Sequence, residues 1–400
     1  MRTVKYFLVT TTAISIAFLN CSCHKKTSLG KKQDYVLEHI LIKAGQQTKM
    51  MSLTKAMAYF KVPAISFAVI QNNKLSWIDA VGYTKPDHNQ KVDTNTLFQA
   101  GSMSKSVAAA TTMSLIDRGI INLDTAVNPL LNSLRIAKTD RFKHHKITLR
   151  QLLDMSSGLS IGTYRGYVPG QKLPTLVQTL RGMRPANNPP TQILYQPGTR
   201  YHYSSGAYEV LRFAINSYTP LSFVQTTQKY IFMPLKMHHS YYGQPLPERL
   251  GKNVAFATNA DGHPFPYKWR IMPEYAAAGL WSTPGDLAKF VLSVIKADQG
   301  KKHEAISPTM ARFALEKESH TPYGLGFALG GQGKQFHFMK LGQSPGYQGW
   351  LVGFPKTGQG AVVMTNSDNG RNLAQSLIYA IARTYHWPTT GKLQDAWMLR

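Results

Sequence analysis

Strand-forming runs gather at the two ends of this 400-residue chain and helix-forming runs fill its middle, an arrangement that few folds accommodate. Near the start, Ala64 to Ile70 and Leu75 to Tyr83 are β-prone and flank Gln71-Asn72-Asn73-Lys74, a hairpin signal. Near the end, Phe336 to Leu341, Tyr347 to Phe354 and Gly360 to Asn366 read the same way, and an amphipathic helix follows from about Asn372 to Trp387. Strands joined by short turns pair antiparallel, and a sheet must bury a face against helices or another sheet. The expectation is an α/β (α+β) architecture with an antiparallel sheet built from both chain ends and flanked by helices. The sheet lobe would take about 35–100 and 270–390, and a mostly helical region of about 101–269 would be inserted between them. Helices are predicted over Ser102 to Arg118, Leu149 to Met155, Tyr208 to Ile215 and Pro284 to Ile295, separated by long Pro/Gly-rich loops. Helical spacing also predicts a leading helix from Tyr35 to Phe60, ended by Lys61-Val62-Pro63. A hydrophobic content of 43% is enough for one large domain or two closely packed lobes.

The formal net charge is +26, with Lys and Arg scattered rather than packed into one tract. Such a surface is attracted to anionic lipids or polysaccharides, so association with an anionic envelope surface is expected. No nucleic-acid partner is expected, because neither a zinc-finger spacing nor an RNA-binding aromatic signature is present. Residues 1–23 read as an export signal: Arg2 and Lys5 lead into an apolar run from Phe7 to Leu19, too short for a membrane span, ending at Asn20-Cys21-Ser22-Cys23. Cys21 is either a lipid-attachment cysteine or part of an ordinary cleaved signal. Both cysteines of the chain lie there, so the body beyond them has no disulfide or thiolate metal site. Residues 24–34 are polar and read as a tether, leaving 35–390 as the folded domain.

Three distant segments carry candidate chemistry. Gly101-Ser102-Met103-Ser104-Lys105 opens an Ala-rich helix, and Ser and Lys at i and i+3 share a helix face. An amine there can activate the hydroxyl, and the helix N-terminus favours negative charge. Ser-x-x-Lys also begins at Ser28, Ser52 and Ser293, in the polar tether or inside amphipathic helices, so the spacing alone leaves Ser102 equally well explained as a helix N-cap. Tyr203 sits in a turn that opens another helix, where a phenol can shuttle protons or merely pack its ring. Lys340-Leu341-Gly342 ends one strand before a tight turn, where a lysine can strengthen the site's field or merely guard a sheet edge.

Taken together, these segments resemble the serine β-lactamases of class C, the related D-alanyl-D-alanine carboxypeptidases, and the esterases and peptidases that share their β-lactamase/transpeptidase-like fold, over about Tyr35 to Trp387. Ser102 and Lys105 resemble that family's Ser-x-x-Lys, Tyr203-Ser204-Ser205 its Tyr-x-Asn, and Lys340-Leu341-Gly342 its Lys-Thr-Gly. Ile147 to Leu153, Ser156 to Leu159, Ala278 to Leu287 and Tyr323 to Gly326 resemble supporting segments. The resemblance implies a serine hydrolase in which Ser102 attacks a carbonyl of a small-molecule or peptide substrate. Lys105 and Tyr203 would move protons, Lys340 would strengthen the field around Tyr203, and the backbone N–H groups of Ser102 and Gln343 would hold the oxyanion. Ser205, Leu341 and Gly342 would face substrate. It implies neither a metal nor an organic cofactor.

Two departures bear on substrate. Ser205 stands where the resemblance expects Asn, and Leu341 where it expects Thr or Ser, which removes a hydroxyl from the carboxylate-binding strand. An ester or amide hydrolase therefore fits better than a class C-type β-lactamase or a D-alanyl-D-alanine carboxypeptidase. The rival of another class is a catalytically lapsed envelope-binding protein. Lys356-Thr357-Gly358 spells the third motif but reads as a hairpin turn, while Gly158 to Gly162 and Gly342 to Gly346 spell a nucleophile elbow without its strand and helix. The adjacent pairs His144/His145 and His238/His239 lack zinc spacing.

Overall fold

The computed structural model describes residues 28–44, 47–85, 89–134, 136, 145–302, 305–317 and 320–388. The expected export signal, Cys21 and His144 lie outside them. In chain order the elements are α1 (Ser28–Glu38), β1 (Ile40–Ala44), β2 (Gln47–Met51), α2 (Leu53–Phe60), β3 (Ala64–Gln71), β4 (Lys74–Gly82) and β5 (Phe98–Gln99). Then come α3 (Ser104–Asp117), α4 (Asn128–Ser133), α5 (Leu149–Leu153), α6 (Leu176–Arg181), α7 (Ser205–Tyr218), α8 (Phe223–Thr227), β6 (Tyr241–Tyr242) and α9 (Tyr275–Ala278). The last third holds β7 (Leu280–Ser282), α10 (Pro284–Asp298), α11 (Pro308–Leu315), β8 (Ala328–Gly330), β9 (His337–Ser344), β10 (Tyr347–Phe354), β11 (Gln359–Thr365) and α12 (Gly370–Thr384).

Six strands form one antiparallel sheet in the order β4-β3-β11-β10-β9-β8, so strands from both chain ends do share it. Asn72 and Asn73 both take positive φ, 51° and 59°, the conformation that lets a two-residue loop follow the twist of β3 and β4. Every β10 residue is buried, which requires cover on both faces of the sheet. Helices α10 and α12 both pack on β10 and β11 and supply it. The Lys356-Thr357-Gly358 sequence lies in the turn between β10 and β11, where Gly358 has φ 68°.

Helix α3 runs through the interior. Its residues Ser104 to Leu115 are all buried, the pattern of a helix apolar or small on every face rather than along one stripe. Its hydroxyls are matched: Ser106 donates to Gly326 O at 2.8 Å, and Thr111 meets Thr227 at 3.0 Å.

The helix expected from Tyr35 to Phe60 is corrected. That stretch holds the end of α1, the β1–β2 hairpin and α2, with Ser52 as the N-cap of α2 rather than inside a helix. Val36, Ile40, Ile42, Leu53 and Ala56 are buried in both readings, but Ile40 and Ile42 are spaced by two, which is the period of a strand. Residues 28–34, read as tether, belong to α1, which packs on α12. Among the described residues no helix is long and apolar enough to cross a membrane.

Candidate active site

Ser102 lies in a 3-10 turn, Gly101–Met103, that leads directly into α3, so its half-buried side chain stands at the helix entrance. Lys105, one turn on, is fully buried. Its Nζ donates to Ser102 Oγ at 3.0 Å and to the Ala277 carbonyl at 2.8 Å. Burial lowers the Lys105 ammonium to about 7, opposed by the negative charge of Glu209. A lysine lowered in this way gives up its proton more readily, and the neutral amine is the state a base needs.

Tyr203 is delivered from the opposite wall. Ser204 caps α7 by accepting from Ala207 N–H at 2.9 Å, which fixes Tyr203 as the residue just before the helix. The Gly158–Gly162 loop, whose sequence imitates an elbow, clamps this turn. Ser160 O accepts from the Ser204 hydroxyl at 2.7 Å, and Ile161 O accepts from Ser205 N–H at 2.7 Å. Tyr203 Oη then donates to Ser102 Oγ at 2.8 Å, so phenol and amine converge on one oxygen.

Lys340 arrives from β9, 2% exposed, with Nζ 4.7 Å from the centroid of the Tyr203 ring and donating to Tyr323 Oη at 3.1 Å. Burial lowers it to about 8, with Tyr203 opposing that shift and Lys105 adding to it. Tyr323 belongs to an aromatic wall with Tyr201, whose ring stacks on it at 5.4 Å. The sequence singled out the Tyr323 segment but gave Tyr323 no role.

Two glycines let β9 approach the Ser102 turn. Gly101 takes φ +50°, and a Cβ there would lie 2.5 Å from Gln343 N and O. A Cβ on Gly342 would strike the Ala100 carbonyl. The two-residue turn after β9 pairs Ser344 with Tyr347, and ladder alternation then turns the Gln343 N–H away from β10, toward Gly101 and the neighbouring Ser102. Strand β8 stops opposite Met339, so the stretch from Lys340 to Gln343 is an open strand edge beside Ser102.

The remaining sequence candidates fall elsewhere. Ser205 is 3% exposed and its hydroxyl donates to Gly162 O at 2.8 Å, which ties it to the loop. Leu341 is half-buried and brings hydrocarbon to the open edge. Sequence reasoning missed a buried polar group behind Lys105. Glu209, Arg212 and Glu274 occupy α7 and the residue before α9, and both acids are fully buried. Arg212 Nη1 lies 3.1 Å from Glu209 Oε2. Their signal was contextual, for acids are scarce in this chain, 20 against 46 Lys and Arg, and Glu209 sits in the apolar run Ala207-Tyr208-Glu209-Val210-Leu211. Among the described residues no group of three or more His, Cys, Asp or Glu is placed to hold a metal.

The Beta-lactamase family model matches residues 52–386. The chain belongs to the β-lactamase family. Among relatives of this β-lactamase-family chain is the unguisins hydrolase of Aspergillus violaceofuscus, 28% identical over 262 residues that cover 61% of this chain and 44% of that protein. Another is the teichoic acid D-alanine hydrolase of Staphylococcus aureus, 26% identical over 283 residues, 68% of this chain and 66% of that protein. The chain thus spans less than two thirds of either relative's length. In fold it is similar to the octameric penicillin-binding protein homologue from Pyrococcus abyssi, with TM-score 0.68 and 23% identity over 89% of this chain and 77% of that one. It is likewise similar to SurE, with TM-score 0.65 and 19% identity over 83% and 74%.

Proposed function

We propose that this β-lactamase-family hydrolase works through an acyl-enzyme on Ser102 and that its substrate is an ester. The observation carrying the reading is the convergence of Lys105 Nζ and Tyr203 Oη on Ser102 Oγ, at 3.0 and 2.8 Å. Neutral Lys105 takes the Ser102 proton as Oγ bonds to the carbonyl carbon. The oxyanion is held by the N–H groups of Ser102 and Gln343. As the intermediate collapses, the leaving oxygen takes its proton from Tyr203, which is resupplied by the lysine. A water then attacks the acyl carbon, gives up a proton to the same pair, and frees Ser102.

The preference for an ester over a β-lactam or a D-alanyl-D-alanine terminus rests on the carboxylate side of the site. Leu341 offers no hydroxyl, Ser205 is committed to Gly162, and the Lys340 ammonium is buried and donates to Tyr323. A missing hydrogen bond to a charged group costs roughly 1.5–3 kcal/mol. A formal charge of +26 suits the chain to an anionic surface or polymer, and one relative is named a teichoic acid D-alanine hydrolase. An acyl ester carried on an anionic envelope polymer is the substrate class this favours, with residues 1–23 as the export signal.

Intact-mass analysis with a fluorophosphonate should show one adduct, lost in Ser102→Ala. Short-chain p-nitrophenyl esters should turn over faster than nitrocefin or D-alanyl-D-alanine peptides. Absence of any adduct on folded protein overturns the mechanism and revives a lapsed binding protein. A nitrocefin rate above every ester rate overturns the substrate class.

A further inference from the structure

Behind Lys105 the structure holds a support that the chemistry above does not use. Helix α9 is one turn long, so its first amides lack internal partners, and Glu274 at its N-cap makes no side-chain capping bond. Ala277 N–H is satisfied instead by Glu209 Oε1, at 3.0 Å from α7. The carbonyl of the same residue, Ala277, accepts from Lys105 Nζ at 2.8 Å. The other oxygen of Glu209 is held by Arg212, whose Nη1 also donates to Pro273 O at 2.8 Å and whose guanidinium stacks 3.9 Å from the Tyr275 ring centroid. Glu209 and Arg212 therefore brace both ends of the segment that presents the Ala277 carbonyl.

We propose that Glu209 is a positioning residue for Lys105: by capping α9 from the neighbouring helix it aims the Ala277 carbonyl, which fixes the Lys105 amine on Ser102. The inference rests on the reading of Ser102 as nucleophile. Around Glu209 stand Arg212 on its own helix, Lys105 from α3, Glu274 before α9, Tyr164 from the loop after α5, and Tyr242 from β6. Helices α4 and α8 bring no titratable side chain, while α5 brings Arg150, paired with Asp124 at the surface, and α6 brings Arg181. Burial raises both acids, and the nearby charge of Glu209 helps push Glu274 up to about 8. Arg212 and Ala277 N–H counter the burial of Glu209, and Glu274 has neither of them as a hydrogen-bond partner.

The test is the pH dependence of ester hydrolysis and of fluorophosphonate labelling at Ser102, in wild type, Glu209→Gln, Glu209→Asp and Glu209→Ala. Gln can still accept the Ala277 N–H but has no charge, so Lys105 loses its proton more easily and the acid limb should move down by about one pH unit. Ala removes the brace as well, and kcat should fall about 30- to 100-fold with KM within threefold. Asp should restore the wild-type limb in part. If Ala does not fold by circular dichroism, the Gln and Asp limbs decide alone. A Gln profile superimposed on wild type overturns the role of Glu209 while leaving Ser102 untouched. A wild type without any Ser102 adduct overturns the nucleophile reading and this inference with it.

Discussion

The Lys340 ammonium lies over the face of the Tyr203 ring, 4.7 Å from its centroid. In the proposed mechanism, a cation held there and an amine on Ser102 would tie activity to the protonation of two lysines. Lys105, lowered by burial to about 7, is a base only after losing its proton; Lys340, lowered to about 8, supplies charge only while it keeps its own. We predict that kcat/KM for an ester rises through about pH 7 and falls beyond about pH 8, the two limbs belonging to the coupled pair. Lys340→Met should remove the alkaline limb and lower the maximum about 10- to 100-fold. A flat wild-type profile from mildly acidic to mildly alkaline pH would contradict this assignment.

Tyr203→Phe keeps a ring against Tyr323 and deletes the oxygen that reaches Ser102. Loss of a positioned proton donor typically costs about 10²- to 10⁴-fold. The variant should retain the wild-type Tm within a few degrees while kcat falls by about that factor with KM little changed. Equal kcat in the two proteins would remove Tyr203 from the proton path.

Gly101→Ala places a methyl 2.5 Å from the Gln343 backbone at a φ of +50°. Either β9 moves away from the Ser102 turn or the turn rebuilds. The expected result is about 1–3 kcal/mol of destabilisation by urea titration together with loss of ester turnover exceeding the loss of folded protein. Unchanged turnover would mean that Gln343 N–H takes no part in holding the oxyanion.

Glu274 predicts a stability trend. Its carboxyl, fully buried and met by no group other than its own backbone N–H, is pushed up to about 8 from 4.5, by burial first and by Glu209 second. A raised acid stabilises the fold most below its unfolded value, and that contribution is lost as pH climbs toward its folded value. Wild type and Glu274→Gln should therefore differ little at pH 4, and the variant should gain on wild type from about pH 4.5 to about pH 8. The gain should reach a few kcal/mol, measured by chemical denaturation. A difference independent of pH would show that Glu274 is ionised in the native protein.

The sheet was legible because its signals are local: β10 follows from a run of aromatic, aliphatic and glycine residues broken only by Gln348, and the β3–β4 turn from two asparagines suited to positive φ. The leading segment misled because Val36, Leu37, Ile40 and Leu41 fit a helical stripe, while Gly45 inside the run marked a break. At the site, Ser102, Lys105, Tyr203 and Lys340 were named from motif order and the structure gathers them. Glu209 and Glu274 were not, because a carboxylate on a helix is ordinarily solvated, and only the fold turns these two inward. The use of Ser205 as a loop tie was equally invisible, since its partner is a backbone carbonyl more than forty residues upstream.

Strand β9 reaches the Ser102 turn from the far end of the chain. While the polypeptide is being synthesised, Ser102 and Lys105 emerge long before Lys340 and Gln343 exist, and Gly101 has nothing to lean on until β9 docks. On the acyl-enzyme mechanism proposed above, the nascent protein carries an unarmed serine, and hydrolysis would begin only when the last strands have closed the sheet. Turnover through the proposed Ser102 site would then be a proof of complete folding, and a proteolytic clip that removes the final hundred residues would abolish it.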